Sequence, residues 1–139
     1  MSGQSDPPIV AGAVVEMDHG GPAYAVRIRT GHHDLTSDEP HENGGADAGP
    51  SPFGLLLASL GACTAITLRM YAERKGWRLT DVQVRLFYRW KGDKPVIDRS
   101  VTLTGELDDT QRARIAEIAE KTPVTRALKS GVDIRTMLR

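Results

Sequence analysis

The chain lacks a second cysteine: Cys63 is the only thiol in 139 residues. No internal disulfide can form, so a reducing compartment, the cytoplasm, is the expected home. It also lacks net charge, with 18 basic and 18 acidic side chains. That excludes the basic excess a nucleic-acid binder normally carries. Aromatic residues make up only 5%. The N-terminal stretch "MSGQSDPPIVAGAVV" has no basic segment followed by a long apolar one, so no signal peptide is expected. The longest apolar run, Phe53–Leu68, has 16 residues and is interrupted by Gly54, Ser59, Gly61 and Thr64. It falls short of the roughly 20 residues a bilayer span needs, which points to a helix buried in protein and to no membrane partner. GxGxxG, P-loop, HxH and HExxH patterns are all missing. The loop with Asp38, Glu39, His41, Glu42 and Asp47 is acid-rich but lacks metal-ligand spacing, so neither a metal nor a cofactor is expected. His19, His32, His33 and His41 fall in turns or at strand ends, and none belongs to a recognisable triad.

What is present reads as one domain, residues 11–139, behind a polar, Pro-containing and flexible segment 1–10. "AGAVVEMD" and "AYAVRIRT" flank the turn "HGGP" and predict a hairpin. Tyr24, Val26 and Ile28 share one face of its second strand, Arg27 and Arg29 the other. "HDLTSDE" adds a third strand, and "PHENGGADAGPSP" is a loop. Ser51 as N-cap and Pro52 at the first helical position open a helix to about Lys75, with Arg69 and Glu73 one turn apart and Gly76 as its stop. "LTDVQVRLFYRW" and "IDRSVTLTGEL" alternate as strands around "KGDKP", the second with Ile97, Val101 and Leu103 inward. Asp108 and Gln111 form a capping-box pattern ahead of a helix. Thr122-Pro123 starts another helix, which ends at Gly131, and "VDIRTML" predicts a closing strand with Val132, Ile134 and Leu138 on one face. Strands in hairpins with helices between antiparallel pairs make an α+β fold.

Cys63 lies mid-helix on a stripe with Leu56, Leu60, Thr67 and Met70. One reading is a buried thiol acting as a small hydrophobe. The other is a nucleophile, which needs a compensating charge because burial disfavours the thiolate. Arg27 and Arg29 are the free candidates for that charge. The amide-rich start of the helix after Thr122 is a second source of positive potential, although threonine there is commonly a simple cap.

The stretches "GPSPFGLLLASLGACTAITLRMYAERKGW" and "AEKTPVTRALKSGVDI" carry a resemblance to the OsmC/Ohr family of stress-induced and organic hydroperoxide-reducing proteins, in the branch of OsmC-like redox proteins. The resemblance spans roughly residues 11–139. It implies antiparallel sheets, a long buried central helix with a second helix, and a tightly intertwined homodimer with thiols in pockets at the interface. It implies that Cys63 is the peroxidatic cysteine, and that Arg29, or else Arg27, stabilises its thiolate. Thr122 stands where the family places its resolving cysteine, so an intramolecular disulfide is impossible. Phe53 and Gly54 stand where the family usually has a glutamate that orients the arginine. The implied function is therefore a one-cysteine thiol peroxidase acting in oxidative-stress defence. It would reduce organic hydroperoxides or hydrogen peroxide and would need an external thiol reductant. The alternatives are a non-catalytic protein holding a small hydrophobic or thiol ligand in the dimer pocket, and a purely structural dimerisation module.

Overall fold

The computed structural model describes residue 3 and residues 5–139; part of the predicted flexible segment 1–10 lies outside the described residues. The chain forms two compact units, residues 1–55 and 56–139.

The first unit is a three-stranded antiparallel sheet of β1 (Ala13–Met17), β2 (Val26–Thr30) and β3 (His33–Ser37), in the order β1-β2-β3. Its register pairs Val14 with Arg29, Glu16 with Arg27, and Arg29 with Asp34. The period-two alternation of strands therefore gathers both arginines and two carboxylates on one face. After β3 the chain winds around Asp38. This carboxylate is buried, and it accepts backbone N–H bonds from Glu39, Ala46 and Ala48 at 2.7, 3.2 and 3.1 Å. The loop is thereby ordered without regular structure, apart from one short 3-10 turn at His41–Asn43.

Helix α1 runs from Pro52 to Lys75. Its start is as predicted: the Gly54 N–H donates to Ser51 Oγ at 3.0 Å. Its end is a Schellman turn, with the Trp77 N–H on the Ala72 carbonyl, the Gly76 N–H on the Glu73 carbonyl, and Gly76 at φ +70°. Two long strands follow, β4 (Arg78–Lys91) and β5 (Lys94–Glu106), paired antiparallel. Thr80 is an extra residue in this ladder, because Leu79 faces Gly105 while Asp81 faces Thr104. Helix α2 (Asp109–Ala119) opens with the predicted capping box: Asp108 accepts from the Gln111 N–H, and Gln111 from the Asp108 N–H. Helix α3 covers Pro123–Ser130.

The core of this unit joins one face of α1 to the hairpin and α2. Leu68, Ala72, Leu79, Ile115 and Ala119 are buried together, with Trp77, Val82, Val101, Leu103, Leu107 and Ile118 packed around them. Gly61 lets α1 approach β4 closely, since a Cβ there would lie 2.9 Å from Leu86 Cδ1. The opposite face of α1 is open, with Ala58, Ser59, Ala62, Ile66 and Met70 all exposed. By length and composition α1 could cross a membrane, with an 18-residue window of mean hydropathy 1.6. The run of 16 residues read from the sequence understated it. One face of α1 packs on the hairpin and α2 through Leu68 and Ala72, while only 22% of that window is buried within the chain, so the rest of the helix still needs cover.

One predicted element is missing. Residues 131–139, expected to close the fold as a strand, have no regular structure and are exposed, Ile134 at 84% and Leu138 at 96%. A strand requires an edge to pair with, and among the described residues of this single chain the segment pairs with none.

Candidate functional site

Cys63 is half-buried on α1 and unbonded to any other sulfur. The next residue, Thr64, lies on the helix face turned to the hairpin and is fully buried. Its hydroxyl donates to the Leu60 carbonyl at 2.7 Å and so bridges the turn that carries Cys63. The same oxygen accepts from Arg99 Nη1 at 2.9 Å.

Arg99 is the residue the sequence reading overlooked. In β5 it occupies the inward register between Ile97 and Val101, and it pairs with Leu86 across the ladder. Every other arginine of the chain is exposed, whereas the Arg99 side chain retains 12% exposure. Its guanidinium forks onto three helices. Nη1 donates to Thr64 on α1 and, at 2.8 Å, to the Thr125 hydroxyl on α3. Nη2 donates to the Ala119 carbonyl at the end of α2, at 3.0 Å, and lies 3.5 Å from Glu120 Oε1. A helix C-terminus and a carboxylate are both favourable neighbours for a cation. Glu120 in turn bonds Lys129, whose ammonium is the main cause of a carboxyl held below its usual range; Arg99 contributes less. The signal for Arg99 was available in the sequence: an arginine at an inward position of an alternating strand.

Thr122 takes the N-cap position of α3, as expected, and is fully buried. Its side chain does not cap the helix. The hydroxyl instead meets Thr125 Oγ1 at 2.6 Å. Thr122, Thr125, Arg99 and Thr64 thus form one connected polar cluster, and Cys63 follows by one peptide bond.

The sequence also named Arg27 and Arg29, which belong to β2 of the first unit, and the positions Phe53 and Gly54. Arg27 pairs with Glu16 at 3.5 Å and Arg29 with Asp34 at 3.8 Å, on the face of the three-stranded sheet that also carries Val14 and Thr36. Both arginines are about two-thirds exposed, so these pairs hold them only weakly. Where the resemblance implies a glutamate, Phe53 is exposed, and the Gly54 backbone is engaged by Ser51. Among the described residues no group of three or more His, Cys, Asp or Glu side chains could hold a metal.

Comparison with solved structures finds the same fold in several bacterial proteins. An OsmC like protein from Mycoplasma pneumoniae is similar with a TM-score of 0.71 at 15% identity, covering 90% of this chain and 89% of its own. An organic hydroperoxide resistance protein OsmC from Legionella pneumophila is similar with a TM-score of 0.63 at 20% identity, covering 90% and 93%. The organic hydroperoxide resistance protein OhrB of Bacillus subtilis gives 0.59 at 17% identity, covering 90% and 94%. No curated protein matches. The family model described as OsmC-like protein matches residues 44–137, a span that contains Cys63, Arg99 and Thr122. The chain belongs to the OsmC-like protein family.

Proposed function

We propose that the protein is a one-cysteine thiol peroxidase of the cytoplasm, acting as a homodimer on organic hydroperoxides or hydrogen peroxide. The observation that carries this reading is the place of Cys63: a half-buried thiol at mid-helix, next in sequence to Thr64, whose hydroxyl takes a hydrogen bond from Arg99, in a chain of the OsmC-like family. The Cys63 thiolate attacks the distal oxygen of the hydroperoxide. The O–O bond breaks, an alcohol or water leaves after taking up one proton, and the sulfur becomes a sulfenic acid. Because Cys63 is the only cysteine, an external thiol completes the cycle. The first equivalent forms a mixed disulfide and releases water, and the second restores Cys63 and leaves as the disulfide of the reductant.

A second reading is favoured by a specific observation. Arg27 and Arg29 are each paired with a carboxylate of their own sheet, and position 122 carries no thiol. A binding protein that holds a small hydrophobic or thiol ligand, with Cys63 as lining, needs neither feature. The rate of Cys63 with cumene hydroperoxide and with hydrogen peroxide, set against free cysteine, separates the two. The peroxidase reading expects a rate well above that of free cysteine, lost in Cys63→Ser. A rate equal to that of free cysteine supports the binding reading.

A further inference from the structure

We propose that Arg99 is a positioning residue for Cys63: it sets the placement of position 122 relative to the helix turn that bears the thiol. The proposal deepens the reading of Cys63 as the reacting group and rests on it.

A cation placed on the inward face of a strand, between Ile97 and Val101, loses most of its hydration. An apolar side chain of similar volume is commonly at least as stable in such a place. Stability alone is therefore a poor account of why an arginine stands there. What an apolar residue cannot do is hold several elements at fixed separations. The four terminal N–H positions of Arg99 all face acceptors: the Thr64 and Thr125 hydroxyls, the Ala119 carbonyl and Glu120. A lysine has one nitrogen and cannot reproduce that planar fork.

Two of these anchors belong to the segments of interest. Thr64 is both the sequence neighbour of Cys63 and, through its bond to Leu60, the brace of the same turn. Thr125 holds Thr122. Three hydrogen bonds, Thr122 to Thr125, Thr125 to Arg99 and Arg99 to Thr64, connect the corner between α2 and α3 to the Cys63 turn. The two ends of this chain, Thr122 and Thr64, have no exposed surface, and Thr125 is at 4%. Solvent therefore has little access with which to replace its bonds. The guanidinium acts as a non-covalent clamp between the two segments.

The test uses a thiol at position 122 as a probe of that placement. In Thr122→Cys, two glutathione molecules leave as oxidised glutathione takes up the electron pair and protons released when Cys63 and the new thiol join. The equilibrium constant against glutathione measures how well the two sulfurs are held together. It is read for Thr122→Cys alone and combined with Arg99→Met, Arg99→Lys or Thr64→Val, with circular dichroism showing that each variant is folded. The expected result is pairing in Thr122→Cys, a fall of about tenfold or more with Arg99→Met, and a smaller fall with Arg99→Lys. Thr64→Val keeps the arginine and removes its anchor, and is expected to fall as Arg99→Met does. Equal constants in the folded variants, or no pairing in Thr122→Cys itself, would overturn the proposal. No peroxide enters the measurement. A Cys63 that fails to reduce hydroperoxides would count against the peroxidase reading and leave this result standing.

Discussion

The Thr122 hydroxyl meets the Thr125 hydroxyl at 2.6 Å and leaves the first turn of α3 without a side-chain cap, although Thr122 stands at the N-cap position. The two roles rank substitutions differently. At an ordinary cap, aspartate and serine serve as well as or better than threonine, and valine costs about 1 kcal/mol. In the buried cluster, serine keeps the bond, and valine keeps the volume and loses about 1 kcal/mol. Aspartate must bury a carboxylate in a fully enclosed site. The expected order of stability in urea is Thr122→Ser above Thr122→Val above Thr122→Asp. Finding the aspartate variant as stable as the serine one would restore the simple cap.

Gly105 is needed where the extra residue Thr80 disturbs the hairpin. Its φ of +142° is a conformation that side-chain-bearing residues rarely adopt, and a Cβ there would lie 1.9 Å from the Arg78 carbonyl oxygen. Backbone cannot yield as the end of a side chain can. Gly105→Ala is expected to cost about 2–3 kcal/mol. Gly61→Ala meets only the flexible end of Leu86, and gains up to about 1 kcal/mol of helix propensity. It should be close to neutral. Denaturation of the two variants side by side checks the contrast, and equal effects would contradict it.

Local features were legible because they are settled by neighbours in sequence. The Ser51 cap, the Asp108–Gln111 box and the Gly76 stop each satisfy backbone groups within a few residues, and each stands as read. Binary alternation placed β4 and β5, and it also held the clue to Arg99, which shares a face with Ile97 and Val101. The direction of the Thr122 hydroxyl was not legible, because it depends on Thr125, whose hydroxyl takes an N–H from Arg99, 26 residues away in the chain. The pairing of Arg27 with Glu16 and of Arg29 with Asp34 depends on hairpin register, which alternation alone leaves open. The closing strand failed for a related reason. The pattern Val132, Ile134, Leu138 names a face but supplies no edge to pair with.

Acid should loosen the loop before α1. Backbone N–H bonds, that of Ala48 foremost, hold the Asp38 carboxyl below its usual range, against the opposing effect of burial. Asp98 is lowered by its bond to Arg89, and Glu120 by its bond to Lys129. A carboxyl with a depressed value in the folded state binds its proton more readily when unfolded. Its contribution is present above the ordinary carboxylate value of about 4, and is lost as the pH falls through the folded value. Melting temperature is thus expected to drop steeply below about pH 4. In Asp38→Asn the curve should start lower near pH 6 and fall less steeply on acidification. Parallel curves for the two proteins would show that Asp38 contributes nothing to the acid response.

The open face of α1 makes the oligomeric state testable. Ala58, Ser59, Ala62, Ile66 and Met70 are exposed along one side of a helix whose other side is core, and Ile66 and Met70 are 59% and 56% exposed. An apolar stripe of this kind marks an interaction surface. Its small residues at positions 58, 59 and 62 allow a second helix to approach closely. The unpaired tail adds Val132, Ile134, Met137 and Leu138, also exposed. A second copy of the chain would cover both. A bilayer is a poorer cover, because the other side of the same helix is packed against β4, β5 and α2 and is tied through Thr64 to Arg99. Light scattering with size exclusion at low micromolar concentration is expected to show twice the chain mass. Ile66→Glu should shift the protein to monomer or leave it aggregating, since a charge would have to be buried between the helices. Arg74→Glu, in the exposed last turn, should leave the dimer intact. A stable folded monomer of the unmodified protein, or its recovery with membranes, would remove the dimer and with it any pocket that two copies share.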